Sequence, residues 1–99
     1  MKSKKVEFLD EANREFQAAF DWHIERSEQA AARFSQEDSN AISKIAAAPD
    51  RWQSGIRGTR RIFLKKFPFA VIYRELPDVV QILAVAHVRR RPGYWKKRL

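Results

Sequence analysis

The sequence predicts an α+β domain: an N-terminal strand, then an antiparallel helical hairpin packed on one face of a mostly antiparallel sheet. Two observations favour this class. All three glycines and all four prolines lie between residues 49 and 93, so helices are expected in the first half and strands with turns in the second. No repeat, linker or low-complexity segment divides the 99 residues, and we therefore expect a single domain spanning 1–99.

The N-terminal segment predicts a short strand followed by a helix. Residues Lys4 to Phe8 alternate, with Val6 and Phe8 on one side, as in a half-buried strand. Asp10 is a suitable N-cap for the helix that follows. Apolar residues then recur at spacings of three and four, which is typical of a buried helix face. The expected members of that face are Ala12, Phe16, Ala19, Phe20 and His23.

A second helix is predicted to begin after Ser27, which can cap it, and to end at Pro49. Almost no loop separates the two helices, and helices joined in this way form antiparallel hairpins. The expected buried stripe of the second helix is Ala31, Phe34, Ala41, Ile42, Ile45 and Ala48.

The C-terminal half predicts three sequential strands. Pro49 to Thr59 is rich in turn residues and is expected to be a loop. Arg60 to Phe67 follows as a strand with an apolar centre, and the β-branched and aromatic run from Phe69 to Arg74 predicts the next one. Val79 to Val88 is nearly all apolar rather than alternating, which indicates a central strand covered on both faces.

Charge is distributed unevenly along the chain. Residues 1–50 hold seven Lys/Arg and ten Asp/Glu, a net −3, whereas residues 51–99 hold thirteen against two, a net +11. The C-terminal half therefore accounts for the whole excess of +8 and predicts a polyanionic partner: nucleic acid, an acidic protein or an anionic surface. The alternative is a basic surface kept for solubility, although such surfaces usually mix both signs.

Several classes of protein are excluded by what the sequence lacks. Without cysteine there is no disulfide scaffold, thiolate metal site or cysteine nucleophile. The longest apolar run, Ile82 to Ala86, is far shorter than the ~20 residues that span a bilayer, so we expect a cytoplasmic protein with no membrane partner. No phosphate-binding glycine loop and no metal-ligand spacing occurs, and we expect neither cofactor nor metal. The carboxylates lie far in sequence from the cations, which argues against a metal-dependent nuclease.

The segment from His87 to Arg98 carries the most informative functional signal. It holds six cations, a histidine and two aromatic residues in twelve positions. Guanidinium groups pair with phosphates and flat rings stack on bases, so this mixture suits nucleic acid. Tyr94 and Trp95 can instead anchor the chain end against the core. His87, at a reachable strand end, suits general acid–base chemistry, although a lone histidine there is more often structural, and His23 is expected in the core.

A second group of cations precedes this segment. Alternation along the predicted strand places Arg61 and Lys65 on one face. If the strands are neighbours, these side chains should converge on one concave surface with Arg74 and the arginines that follow the last strand. Exposed lysines such as Lys65 and Lys66 also protect sheet edges from aggregation, and that alternative stays open. The expected binding residues are Arg61, Lys65, Arg74, Arg89, Arg90, Arg91 and Tyr94.

Three features of the chain form a recognisable pattern. The first is the order of a strand, a helical hairpin and three strands. The second is the run from Gly58 to Arg74, with its Phe-Pro-Phe and Ile-Tyr-Arg, and the third is Ile82 to His87 followed by Arg-Pro-Gly-Tyr-Trp at 91–95. Together they resemble the RelE/ParE superfamily of bacterial type II toxins, often called plasmid stabilisation proteins, and its ParE-like branch in particular. The resemblance covers Val6 to Arg98.

The resemblance implies a growth inhibitor that is neutralised by a cognate antitoxin. A disordered segment of the antitoxin folds on the basic surface of the toxin, and the two proteins form a hetero-oligomer. ParE-like members poison DNA gyrase, and we expect this activity. RelE-like members instead cut mRNA on the ribosome without metal. That alternative would make the protein a metal-independent endoribonuclease with His87 or a lysine as base and Tyr94 as stacking group or proton donor. A small basic module that binds nucleic acid without a toxin role is the third possibility. The family's basic positions correspond to Arg61, Lys65 and Arg90 or Arg91.

Overall fold

The computed structural model describes residues 3–99, in which five strands form one sheet and two helices pack against it. The elements in chain order are β1 (Lys5–Phe8), α1 (Asp10–Ile24), α2 (Glu28–Ala47), β2 (Gln53–Ser54), β3 (Thr59–Phe63), β4 (Phe69–Glu75) and β5 (Val79–His87). The strands lie in the order β1-β5-β4-β3-β2; β1 runs parallel to β5 and all other neighbours are antiparallel. The predicted α+β class with a helical hairpin on a mostly antiparallel sheet is confirmed.

The two helices follow the predicted apolar stripes. Ser27 caps α2 as predicted, because its hydroxyl accepts a hydrogen bond from the Ala30 backbone N–H at 3.1 Å. The prediction that Asp10 caps α1 is wrong: Leu9 occupies the N-cap position and Asp10 lies in the first turn. There its negative charge still stabilises the helix, since it lies near the positive end of the helix dipole. Neither helix in the described residues is long and apolar enough to cross a membrane.

The strands near the middle of the chain differ from the predicted ones for local reasons. β3 ends at Phe63 rather than Phe67, because the backbone N–H groups of Lys65 and Lys66 donate to the Glu37 carboxylate of α2, at 2.9 and 3.2 Å. Those groups are therefore not available to a neighbouring strand. The predicted loop before β3 contains the two-residue strand β2, which is too short to leave an alternating pattern in the sequence.

The central strand β5 is buried on both faces, as predicted. The helices cover one face, where Phe34 and Tyr73 are fully buried in the main core. The opposite face, called the tail face below, is covered by the C-terminal tail, residues 88–99. Trp95 of the tail is 7% exposed and packs against Ile72 of β4 and Leu83 of β5. The sequence left open whether Trp95 stacks on nucleic acid or anchors the chain end. Its burial against the sheet shows that it anchors the chain end.

Candidate functional site

A groove lined by cations lies on the tail face, between β3 and the C-terminal tail. Its volume is about 180 Å³, and we call it the basic groove. It brings together five of the predicted site residues from two separate stretches of the chain: Arg61, His87, Arg90, Arg91 and Tyr94.

Arg61 faces the basic groove because of its register in β3. It lies opposite Ile72 of β4, and directly opposed residues in a sheet share a face. The guanidinium carbon lies 5.5 Å from the centroid of the Phe63 ring. The Nε of Arg61 is buried and has no hydrogen-bond partner within residues 3–99. Because leaving a buried donor unpaired is costly, an anion in the groove would complete the hydrogen bonding of Arg61.

Tyr94 supports the other wall of the basic groove. The guanidinium carbon of Arg90 lies 3.8 Å from the centroid of the Tyr94 ring, and that of Arg98 lies 5.1 Å from it, both within the range of cation–π contact. The Tyr94 hydroxyl donates a hydrogen bond to Glu15 Oε2 at 2.6 Å. Burial, followed by this hydrogen bond, raises the pKa of Tyr94. Tyr94 is therefore a fixed platform that orients Arg90.

Glu15 of α1 ties the tail to the rest of the protein, and the sequence analysis missed it. Besides Tyr94, its carboxylate binds both terminal nitrogens of Arg98, at 3.0 and 2.9 Å, and the backbone N–H of Val85 at 3.1 Å. The hydrogen bond to Glu15 raises the pKa of Arg98, and the two side chains are only 15% and 11% exposed. One local signal existed: Glu15 lies three residues after the buried Ala12, on the inner side of α1.

His87 ends β5 at the edge of the basic groove. Its Nδ1 accepts a hydrogen bond from the backbone N–H of Arg89 at 3.1 Å, so the neutral ring carries its proton on Nε2. The ring also makes an edge-on contact with Phe69, with centroids 5.0 Å apart. His87 is thus held in one orientation and offers an N–H donor. His23 is buried as expected and bonds to the Ala19 carbonyl through Nδ1, at 2.7 Å.

Three predicted site residues lie outside the basic groove. Lys65 lies beyond the end of β3 and lines a separate pocket with residues of α2, so the prediction that it shares a strand face with Arg61 is wrong. Arg74 donates to the Gln81 side-chain oxygen at 2.8 Å, farther along the sheet. Arg89 is exposed in the turn after β5 and does not line the groove.

A larger cavity adjoins the basic groove, and we call it the apolar cavity. It has a volume of about 520 Å³ and lies between α1 and the adjacent ends of β4 and β5. Ala18, Trp22 and Phe69 form much of its wall, and His87 and Arg90 line both this cavity and the groove. Within residues 3–99, no group of three or more His, Asp or Glu side chains is placed to hold a metal ion.

Comparisons with known proteins agree with this fold. Residues 6–92 match the model of a family described as the ParE toxin of the type II toxin–antitoxin system, parDE. Among solved structures, the chain is similar to one described as the chromosomal ParDE TA system from P. aeruginosa, with a TM-score of 0.74, 17% identity, and coverage of 86% of this chain and 96% of that chain. It is also similar to a mutant of the E. coli toxin RelE in the free state, with a TM-score of 0.65, 13% identity and 98% coverage of each chain. No curated protein sequence matches the chain.

Proposed function

The chain belongs to the ParE toxin family and is the toxin of a type II toxin–antitoxin system with a cognate antitoxin as its partner, and we propose that it inhibits growth by binding DNA gyrase through the basic groove. The match to the family model confirms the resemblance drawn from the sequence. DNA gyrase as the target is our proposal. We place the toxin in the cytoplasm, where gyrase acts, in a hetero-oligomer with its antitoxin until it is released.

The observation that carries this proposal is the hydrogen bond of the Tyr94 hydroxyl. A metal-independent ribonuclease must move protons at the attacking 2′-hydroxyl and the leaving oxygen, so it needs side chains free to accept and donate them. The Tyr94 hydroxyl already donates a hydrogen bond to Glu15 Oε2 at 2.6 Å. Burial and this hydrogen bond raise the pKa of Tyr94. A phenol held in this way is a poor proton donor, which favours binding over RNA cleavage.

The remaining polar groups of the basic groove are hydrogen-bond donors. The Nδ1 lone pair of His87 is occupied by the Arg89 N–H, so its ring offers Nε2–H rather than a base. Arg61, Arg90 and Arg91 contribute guanidinium groups, which have no acceptor. A surface made of donors suits the carboxylates or phosphates of a macromolecular target and supports a toxin that recognises rather than cleaves.

The test is to express the chain without its antitoxin and to measure two responses in the same culture. We expect induction of the DNA-damage response while protein synthesis continues at first, and inhibition of DNA supercoiling when purified toxin is added to purified gyrase. The Arg61→Ala/Arg91→Ala variant should inhibit gyrase at least ~10-fold more weakly, because two charge-assisted contacts are lost.

The matched control removes two cations that do not line the basic groove. Lys44→Ala/Lys66→Ala changes the net charge by the same amount at exposed positions outside the basic groove and should inhibit gyrase as the wild type does. Immediate arrest of translation with cleaved mRNA on the ribosome would refute the gyrase target in favour of the RelE-type activity. Unimpaired growth on expression of the wild-type chain would refute toxicity itself.

A further inference from the structure

We propose that a pocket beside the basic groove binds a backbone phosphate of DNA. This pocket, which we call the tail pocket, has a volume of about 240 Å³ and lies between the connection from β2 to β3 and the C-terminal tail. Arg61 of β3 and Lys96 of the tail both line it. The inference rests on the function proposed above in one respect, since the DNA in question is the DNA that gyrase holds.

The buried Nε of Arg61 is the first observation that points to an anion. Arg61 lines both the basic groove and the tail pocket and so lies at the boundary between them. Within residues 3–99, its Nε has no hydrogen-bond partner and its guanidinium forms no ion pair. Nearly all buried donors in folded proteins are hydrogen-bonded, because leaving one unpaired is unfavourable. A phosphate oxygen within reach of Nε would remove this cost.

Lys96 lines the tail pocket because Gly93 leaves room for its side chain. The tail turns at Gly93, which has φ +75°, and the Lys96 backbone N–H donates to the Gly93 carbonyl at 2.9 Å. The Lys96 side chain lies across this glycine: a Cβ on Gly93 would be 2.5 Å from Lys96 Cε and 3.4 Å from Nζ. No carboxylate of residues 3–99 forms an ion pair with Lys96. Lys96 therefore offers a second positive charge to an anion in the pocket.

The charge of the groove and the pocket together favours a chain of phosphates over a protein surface. The two share Arg61 and Ile72 and so form one continuous surface. Arg90 and Arg91 lie along the groove and Lys96 lies in the pocket, whereas no Asp or Glu of the described residues lines either. A DNA backbone carries a negative charge at every nucleotide. Protein surfaces usually mix both signs, so a protein partner would normally meet some carboxylates here.

A phosphate in the tail pocket would place DNA next to the surface that contacts gyrase. Contacts to phosphates fix the position of a protein on DNA without reading the base sequence. Because the basic groove and the tail pocket adjoin, the toxin would contact gyrase and its DNA at the same time. We therefore expect it to bind the gyrase–DNA complex more tightly than gyrase alone.

The first experiment measures binding of the purified chain to a fluorescein-labelled DNA duplex by fluorescence anisotropy. The duplex has about 20 base pairs, and the salt concentration is varied between about 50 and 200 mM, because each phosphate contact releases counterions and makes affinity depend on salt. Lys96→Gln and Arg61→Gln should each weaken binding about five- to tenfold. Each should also lower the slope of log affinity against log salt by about 1, as expected for one lost phosphate contact.

Two further variants separate the site from the overall charge of the tail. Lys97→Gln is the matched control, because Lys97 is exposed, follows Lys96 directly and lines neither the groove nor the pocket. It should keep the affinity and the slope of the wild type. Arg61→Lys keeps the charge but removes the guanidinium with its Nε donor, so it should bind about fivefold more weakly with an unchanged slope. Thermal unfolding monitored by circular dichroism checks that every variant is folded.

The second experiment measures binding of the toxin to purified gyrase with and without bound DNA. The wild type should bind the gyrase–DNA complex about tenfold or more tightly than DNA-free gyrase, because two adjacent contacts are made at once. Lys96→Gln should lose most of this gain, and Lys97→Gln should keep it. Equal affinity of the wild-type toxin for gyrase with and without DNA would overturn the inference.

The outcomes distinguish this inference from the proposed function. A toxin that inhibits gyrase but does not bind the duplex would overturn the inference and leave the function intact. Equal losses in Lys96→Gln and Lys97→Gln would do the same, since binding would then come from the charge of the tail as a whole. Wild-type affinity in Arg61→Lys would overturn the assignment of the phosphate to Nε. Binding to the duplex without inhibition of gyrase would refute the proposed function while supporting the phosphate site.

Discussion

Replacing the buried Asp38 by asparagine is expected to stabilise the protein at neutral pH. Asp38 lies on the inner stripe of α2, one turn after Phe34, and is 7% exposed. Its Oδ1 is buried and accepts no hydrogen bond from residues 3–99. Burial raises the pKa of Asp38 from 3.8 to about 6, because the charged carboxylate loses its hydration inside the protein.

The size of the effect follows from this pKa difference. In the unfolded chain the carboxyl ionises near its ordinary pKa of 3.8, whereas in the folded chain it stays protonated until about 6. The protonated carboxyl therefore contributes its full stability below pH 3.8, and this contribution is lost as the pH rises through about 6. About two pKa units correspond to about 3 kcal/mol, which is the upper limit of the gain from Asp38→Asn at alkaline pH.

Urea unfolding followed by tryptophan fluorescence measures this gain. Wild type and Asp38→Asn are compared at about pH 4.5, 6 and 8, and the stability difference should widen by about 1–2 kcal/mol between the first and the last. Glu25→Gln is the control, because the Glu25 side chain is 74% exposed and should produce no such trend. A difference that does not change with pH would refute the reasoning, since it would show that ionisation of Asp38 is not the cause.

Two further substitutions test the attachment of the tail. Glu15→Gln leaves the nearly buried Arg98 without its charge partner and should lower the free energy of unfolding by about 2–4 kcal/mol in urea titrations; an unchanged value would mean that the pair does not hold the tail. Gly93→Ala should cost about 1–2 kcal/mol because Gly93 has φ +75°, while the Lys96 Cε that lies 2.5 Å from the added Cβ ends a flexible, exposed side chain and can move aside. Gly58→Ala, with φ +74° and open space around it, should therefore cost about as much, and a much larger loss at Gly93 would show that Lys96 does not move.

The helical hairpin and the long strands were predictable because their signals are local. The three-and-four spacing of apolar residues in α1 and α2, the Ser27 cap and the apolar run of β5 each depend on residues close in sequence. Apart from the Asp10 cap, which was wrong by one residue, the failures occurred where a distant partner decides the outcome. β3 stops early because Glu37, on α2, binds the backbone of Lys65 and Lys66.

The candidate site was predictable only in part, for the same reason. The density of cations in the second half pointed to the correct stretches of chain, and five of the predicted residues meet in the basic groove. Arg74 was misplaced because Gln81 on the neighbouring strand binds its side chain. Asp38 was not noticed at all, since a single acidic residue in an apolar stripe does not alter the periodicity of that stripe.

The amino-acid sequence by itself determined the fold class, the family and the concentration of positive charge in the second half, because periodicity, turn residues and net charge are properties of order and composition. Only the tertiary structure decided that Glu15 binds Tyr94 and Arg98, 79 and 83 residues away, and that Arg90 lies between a groove and a cavity. Periodicity states which side of an element is buried, but not which side chain of another element lies against it. That choice depends on how the elements pack, and it decides which groups remain free to bind a partner.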